Sequence, residues 1–219
     1  MTALGYIQLA SIVLTFITSL VVAASLKNKW WVWIPFLLYT CLVDVSGAYL
    51  KAVEPTYNNI WLYNPYIIVS LTFYGWFVVH NSTLGLQIKK ALYIAGAFLS
   101  LSCGIWYVTW GDSKVLVNFI LNFGSMIVCI LCLLFFYWHI KNPHKYNSLT
   151  DAPAFWMVSG ILVFHAGISI YVALYSFLAA ARLKIMGITI QNLIPQILSL
   201  FLYSTIIAGL IKWKFRLRT

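Results

Sequence analysis

The chain has 219 residues, of which 63% are hydrophobic and only 8% are charged, and its mean hydropathy is +0.90. Soluble domains carry about 25% charged residues, so this composition excludes a chain built mainly of water-facing domains and predicts a polytopic membrane protein. The net charge of +10 comes from Lys and Arg residues in short loops and the C-terminal tail. Such residues attract anionic lipid headgroups, and we therefore expect the lipid bilayer, and no nucleic acid, as the partner.

Seven mostly apolar stretches are each long enough to cross a bilayer, which takes roughly 20 residues in a helix. They cover about residues 5–26, 30–50, 60–80, 91–110, 116–140, 154–178 and 193–213. The connections between them are short and polar, which leaves no room for a second domain. We therefore predict an all-α fold in which residues 1–219 form a single seven-helix transmembrane domain.

The basic residues are divided unevenly between the two sides of the predicted bundle. The first, third and fifth loops and the C-terminal tail together hold ten Lys and Arg residues. The opposite side holds four, namely Lys51, Lys114, Arg182 and Lys184. Because cytoplasmic loops carry the excess of Lys and Arg, we predict that the N-terminus lies outside and the C-terminus inside.

Asp44 is the most informative residue, because it is one of only four acidic residues and lies inside the second predicted span. A carboxylate at such a depth is costly, which marks it as a candidate functional site. His165, near the middle of the sixth span, is the other ionisable group deep in the bilayer. A buried carboxyl group is stabilised in its charged form by a cation or by hydrogen-bond donors. The sequence leaves open whether Asp44 and His165 touch.

Polar side chains recur at helical spacing along several spans, which indicates the face that each helix turns toward its neighbours. The stripes are Asn59, Tyr63, Tyr66 and Ser70; Asn118, Asn122, Ser125, Cys129 and Cys132; and Asn192, Gln196, Ser199 and Tyr203. Amides lie mainly in the outer halves of the spans. With Asp44 and His165, the residues Asn64, Asn118, Asn122, Asn192 and Gln196 form the predicted ligand or proton site. Two interpretations stay open: an outward-facing polar cavity, or a dry network that fixes helix packing.

The sequence contains few residues that could form a catalytic or metal site. The Cys129-x-x-Cys132 spacing is a single pair without nearby histidines, and a zinc hydrolase needs about three protein ligands. We predict no catalytic residues, no metal and no cofactor. The favoured function is a non-enzymatic membrane protein that senses a small ligand in its outer half or acts with a membrane signalling partner.

Two alternatives remain. The first is a small-solute or proton-coupled transporter of three plus one plus three helices, with spans one to three and five to seven as parallel repeats. Pro195-Gln196 resembles half of the signature of the PQ-loop carriers, although it stands in the last span. The second alternative is an intramembrane enzyme.

Residues 58–66, with the sequence NNIWLYNPY, and residues 155–164, with the sequence FWMVSGILVF, carry a resemblance to a family. Together with the spacing of the spans, they resemble an uncharacterised family of small seven-helix integral membrane proteins of Bacteroidota. The resemblance implies the seven-helix fold and a place in a bacterial inner membrane. It implies no activity and no site residues.

Overall fold

A computed structural model describes residues 3–23, 31–54, 56, 59–109, 118–142, 149–181, 183–185 and 188–216. Within these ranges the chain forms seven α-helices: α1 (Ala3–Val22), α2 (Trp33–Val53), α3 (Ile60–Asn81), α4 (Leu86–Thr109), α5 (Asn118–Lys141), α6 (Pro153–Ala181) and α7 (Ile190–Arg216). All seven are long and apolar enough to cross a membrane. The predicted multi-pass, all-helical fold is therefore confirmed. The direction of the termini stays a prediction.

One short element was not predicted. Between α6 and α7, β1 (Lys184–Ile185) and β2 (Ile188–Thr189) form a two-stranded antiparallel ladder in which Lys184 pairs with Thr189. The segment of residues 182–192 is predicted only as a connection, because strands of two residues have no recognisable alternation. The ladder leads directly into α7.

Six helices form a closed ring in the order α1, α2, α3, α5, α6, α7, in which each helix packs against the next and α7 packs against α1. Helices α3 and α6 also touch across the ring. Helix α4 packs against α3 from outside, and none of its residues, all of which the structure describes, is buried. The ring therefore holds the core of the protein, and α4 is a peripheral helix.

The two halves of the ring bury their side chains in the same pattern. A shift of 121 residues superposes buried residues of α2 on buried residues of α6: Trp33 on Ala154, Phe36 on Met157, Leu37 on Val158, Thr40 on Ile161 and Gly47 on Ile168. A shift of 113 residues superposes four buried residues of α1 on buried residues of α5. A shift of 132 residues superposes five buried residues of α3 on buried residues of α7. Any two helices that each bury one face can be aligned in some register. Here the order of the helices around the ring is also the same in the two halves.

Glycines bring α6 and α7 into close contact. A Cβ on Gly160 would overlap the side chain of Thr205, and a Cβ on Gly167 would lie 2.5 Å from a methyl carbon of Leu198. A Cβ on Gly209 would lie 2.9 Å from the backbone carbonyl oxygen of Pro153. Small residues let membrane helices approach closely and gain dispersion energy. These glycines therefore explain why α6 and α7 share the most extensive helix contact in the ring.

We expect Gly209→Ala to destabilise the protein, because the added methyl group meets a backbone atom that cannot rotate away. Overpacking of this kind costs about 1–3 kcal/mol. The measurement is the midpoint of thermal unfolding in detergent. Gly96→Ala on α4 is the matched control, because a Cβ there would meet no atom of the described residues within 4 Å. Equal midpoints for the two variants would contradict the packing described here.

Candidate functional site

Asp44 lies between α2 and α3, where it accepts a hydrogen bond from Tyr63. The distance from the Tyr63 hydroxyl to Asp44 Oδ1 is 3.3 Å. Gly47, one turn further along α2, makes this contact possible, because a Cβ there would lie 2.5 Å from the Tyr63 hydroxyl oxygen. A side chain at position 47 would therefore shift the tyrosine ring, whose hydroxyl reaches the carboxyl group.

A second bond fastens the start of α3 to the same turn of α2. The Asn59 side chain donates through Nδ2 to the carbonyl oxygen of Gly47 at 3.2 Å. Asn59 is buried, as are Thr40, Cys41 and Gly47 on the inward face of α2. Asp44 is only partly buried. The carboxyl group thus stands at the edge of the packed interface rather than in its centre.

Tyr66 joins three helices. Its hydroxyl is hydrogen-bonded to the side chains of Thr40 on α2 and Tyr203 on α7. The rings of Tyr66 and Tyr39 lie 5.8 Å apart between centroids. Asp44 is within electrostatic range of the Tyr66 and Tyr203 hydroxyl groups. Among the described residues, the groups that interact with the carboxyl group are therefore phenols, and no cationic side chain pairs with it.

His165 forms a separate and more deeply buried centre. Its Nδ1 is 3.0 Å from the Ser125 hydroxyl oxygen, and its ring lies 5.4 Å from that of Tyr74. Its Nε2 and the Tyr74 hydroxyl are both buried and have no hydrogen-bond partner among the described residues. These contacts link α3, α5 and α6 at the middle of the bundle.

Asp44 and His165 therefore have different partners, and in the described part of the chain they do not pair with each other. Tyr74 connects the two centres, because its ring packs on His165 and its hydroxyl is within electrostatic range of Asp44.

Of the five predicted amide residues, three are at least partly buried and two are exposed. Asn64 is fully buried, and Asn122 accepts a hydrogen bond from the Ser169 hydroxyl. Gln196 is partly buried, and its Oε1 is a buried atom without a partner among the described residues. Asn118 and Asn192, which lie in the first turns of α5 and α7, are exposed and are not brought together with Asp44.

Aromatic side chains fill the ring on the side of Asp44 toward the start of α2. Trp33 lies with its ring centroid 4.9 Å from each of Phe73 and Phe77, and Phe36 stacks on Phe73 at 3.8 Å. Trp33, Phe36 and Phe77 are buried. In the predicted orientation this aromatic layer separates the Asp44 region from the inner face of the membrane.

Tyr74 is the residue that sequence reasoning missed. The third span carries Asn59, Tyr63, Tyr66 and Ser70 as a polar stripe, and Tyr74 extends that stripe by one further turn. The helical spacing could have found it. Trp33 also went unnoticed as an interior residue, because a tryptophan near a span end is usually an interfacial anchor.

Comparisons with known protein families, curated proteins and solved structures find no match to this chain. Among the residues that the structure describes, no group of three or more His, Cys, Asp or Glu side chains is arranged to hold a metal ion. The interpretation of the site therefore depends on its own chemistry.

We expect Ser125→Ala to destabilise the protein, because the buried His165 imidazole would lose its hydrogen-bond partner. Leaving a buried polar group unsatisfied costs about 1–3 kcal/mol. The measurement is the thermal unfolding midpoint. Ser204→Ala is the matched control, since Ser204 is exposed and bonds only to the Leu200 carbonyl within its own helix. If both serine variants unfold at the wild-type temperature, the Ser125–His165 bond contributes nothing to stability.

Proposed function

We propose that this protein is a non-enzymatic carrier of a small solute or of protons, built from two parallel three-helix repeats. The observation that carries the proposal is the correspondence between α1–α3 and α5–α7 in ring order and burial, with α4 outside as the connecting helix. The register that superposes α2 on α6 also superposes Asp44 on His165. Transporters bind substrates and coupling ions at such interfaces between repeats.

The third helix of each repeat adds support. Pro65 is the sixth residue of α3, and Pro195 is the sixth residue of α7. Each proline stands beside an amide, Asn64 or Gln196, that is at least partly buried. In the 132-residue shift that superposes α3 on α7, Asn64 falls on Gln196, whereas the two prolines are offset by two residues. Each repeat thus has a proline near the start of its third helix, where freed backbone groups and the nearby amide can bind a solute.

The order of ionisable and hydroxyl groups fits proton coupling. Asp44 is nine residues before the last residue of α2, which is about 14 Å of helix. From there, Tyr66 is hydrogen-bonded to Tyr203. Tyr74, whose hydroxyl has no hydrogen-bond partner among the described residues, packs its ring on His165 near mid-span. Carboxyl, phenol and imidazole groups can each hold or release a proton, and chains of such groups are the usual proton relays of pumps and transporters.

The second candidate is the function that the sequence favours, a ligand-sensing subunit with a membrane signalling partner. The aromatic layer of Trp33, Phe36 and Phe73 favours it, because a sensor has to hold its ligand without opening an inward path. We also propose the bacterial inner membrane as the location, on the resemblance to the seven-helix family of Bacteroidota and on the distribution of basic loop residues.

We expect Asp44→Asn to reduce proton flux roughly tenfold or more, which corresponds to an increase of about 1.4 kcal/mol in the barrier. The measurement is the decay of a pH gradient across liposomes that contain the purified protein and the dye pyranine. The amide keeps the size of Asp44 and cannot release a proton at neutral pH. The thermal midpoint should move by less than about 4 °C, so that loss of flux is not loss of fold.

Glu54→Gln is the matched control, because Glu54 is an exposed carboxylate at the end of the same helix. It should leave the flux unchanged. Wild-type protein that dissipates the gradient no faster than empty liposomes would remove proton coupling from the proposal. Co-purification of one defined membrane protein with the wild type, and not with Asp44→Asn, would then favour the sensing subunit.

A further inference from the structure

We propose that the Asp44 site takes an organic cation, such as an ammonium group. This inference rests on the proposed function, because it names the class of solute that the site would bind. We define the cation site as Asp44 with Tyr39, Tyr63 and Tyr66. These four residues belong to α2 and α3, and all four are partly accessible.

The Asp44 carboxyl group can accept more hydrogen bonds than the described residues donate to it. It accepts one hydrogen bond, from Tyr63 to Oδ1, and no Lys, Arg or His side chain of the described residues pairs with it. The buried polar atoms that lack a partner in the described residues do not include Asp44 Oδ2, so this oxygen reaches the accessible surface. A counter-charge stabilises a carboxylate in a membrane-spanning helix, and a ligand can supply it.

The aromatic neighbours select the kind of cation. The Tyr39 and Tyr66 rings lie 5.8 Å apart at an interplanar angle of 50°, and Tyr63 is held against the carboxyl group itself. Phenol rings attract organic ammonium groups through their negative faces, as in the aromatic cages that bind choline. A bare divalent ion needs several oxygen ligands instead. The described residues offer no group of three metal-binding side chains here.

The site lies in the less extensively packed part of the ring. Asn59 and Gly47 lock the outer end of α3 onto α2, whereas Val45 and Ser46, next to Asp44 in sequence, are exposed. The α2–α3 contact is much less extensive than the α6–α7 contact. A small cation at Asp44 would therefore contact the less extensively packed α2–α3 pair and not the α6–α7 pair.

The test uses choline as the probe and 3,3-dimethylbutan-1-ol, its neutral carbon isostere, as the control ligand. Binding is measured by isothermal titration calorimetry on the full chain in lipid nanodiscs. We expect choline to bind the wild type and the neutral isostere to bind roughly tenfold more weakly or not at all, because the charge carries the recognition. Asp44→Asn should weaken choline binding roughly tenfold or more.

Two further variants separate the contributions of the site. Tyr66→Leu should also weaken choline binding, because it removes a ring face, whereas Glu54→Gln should leave binding unchanged. Equal binding of choline to the wild type and Asp44→Asn, or equal binding of choline and its neutral isostere, would overturn the inference.

The flux assay and the binding assay can fail independently. If wild-type protein carries protons through Asp44 and does not bind choline, the cation inference falls and the carrier proposal stands. If choline binds through Asp44 and the wild type transports neither protons nor radiolabelled choline, the carrier proposal falls and the cation site stands.

Discussion

The contact between Tyr63 and Asp44 determines the chemistry of the whole site. It depends on Gly47, since any side chain at that position would displace the tyrosine. Inside a bilayer a polar group must find its partners within the protein. The tyrosine satisfies one oxygen of the carboxyl group and leaves the other accessible. Gly47 thus leaves the space in which the Tyr63 hydroxyl reaches Asp44.

The two halves of the ring have the same helix order but differ in how closely their helices pack. The α6–α7 pair is closed by Gly160, Gly167 and Gly209 against side chains or backbone of the facing helix. The α2–α3 pair is instead bridged by polar side chains, with Asp44 at its edge. Close glycine packing rigidifies one half, and hydrogen bonds at a looser interface can be exchanged. This difference is the reason why the cation site is proposed between α2 and α3.

The fold could be predicted from the sequence because each span is a long apolar run, and length alone separates a membrane helix from a strand. Asp44 could be found because it is rare and deep. The partners could not be found, because a stripe of polar residues fixes only which face of a helix points inward. Tyr63, Tyr66 and Tyr203 lie on the predicted stripes, but only the ring order brings them around one carboxyl group. Asn118 and Asn192 lie on similar stripes and are exposed, because they belong to the first turns of their helices.

The central claim is that Asp44 is accessible from the outer side of the membrane. The most direct test places a cysteine at position 44 in a protein whose four native cysteines are replaced by alanine, and applies the membrane-impermeant cationic reagent MTSET to either side. Lys51→Cys and Phe36→Cys serve as exposed and buried references. We predict that Asp44→Cys reacts from the outside and not from the inside. No reaction from either side, or reaction from the inside alone, would contradict the account.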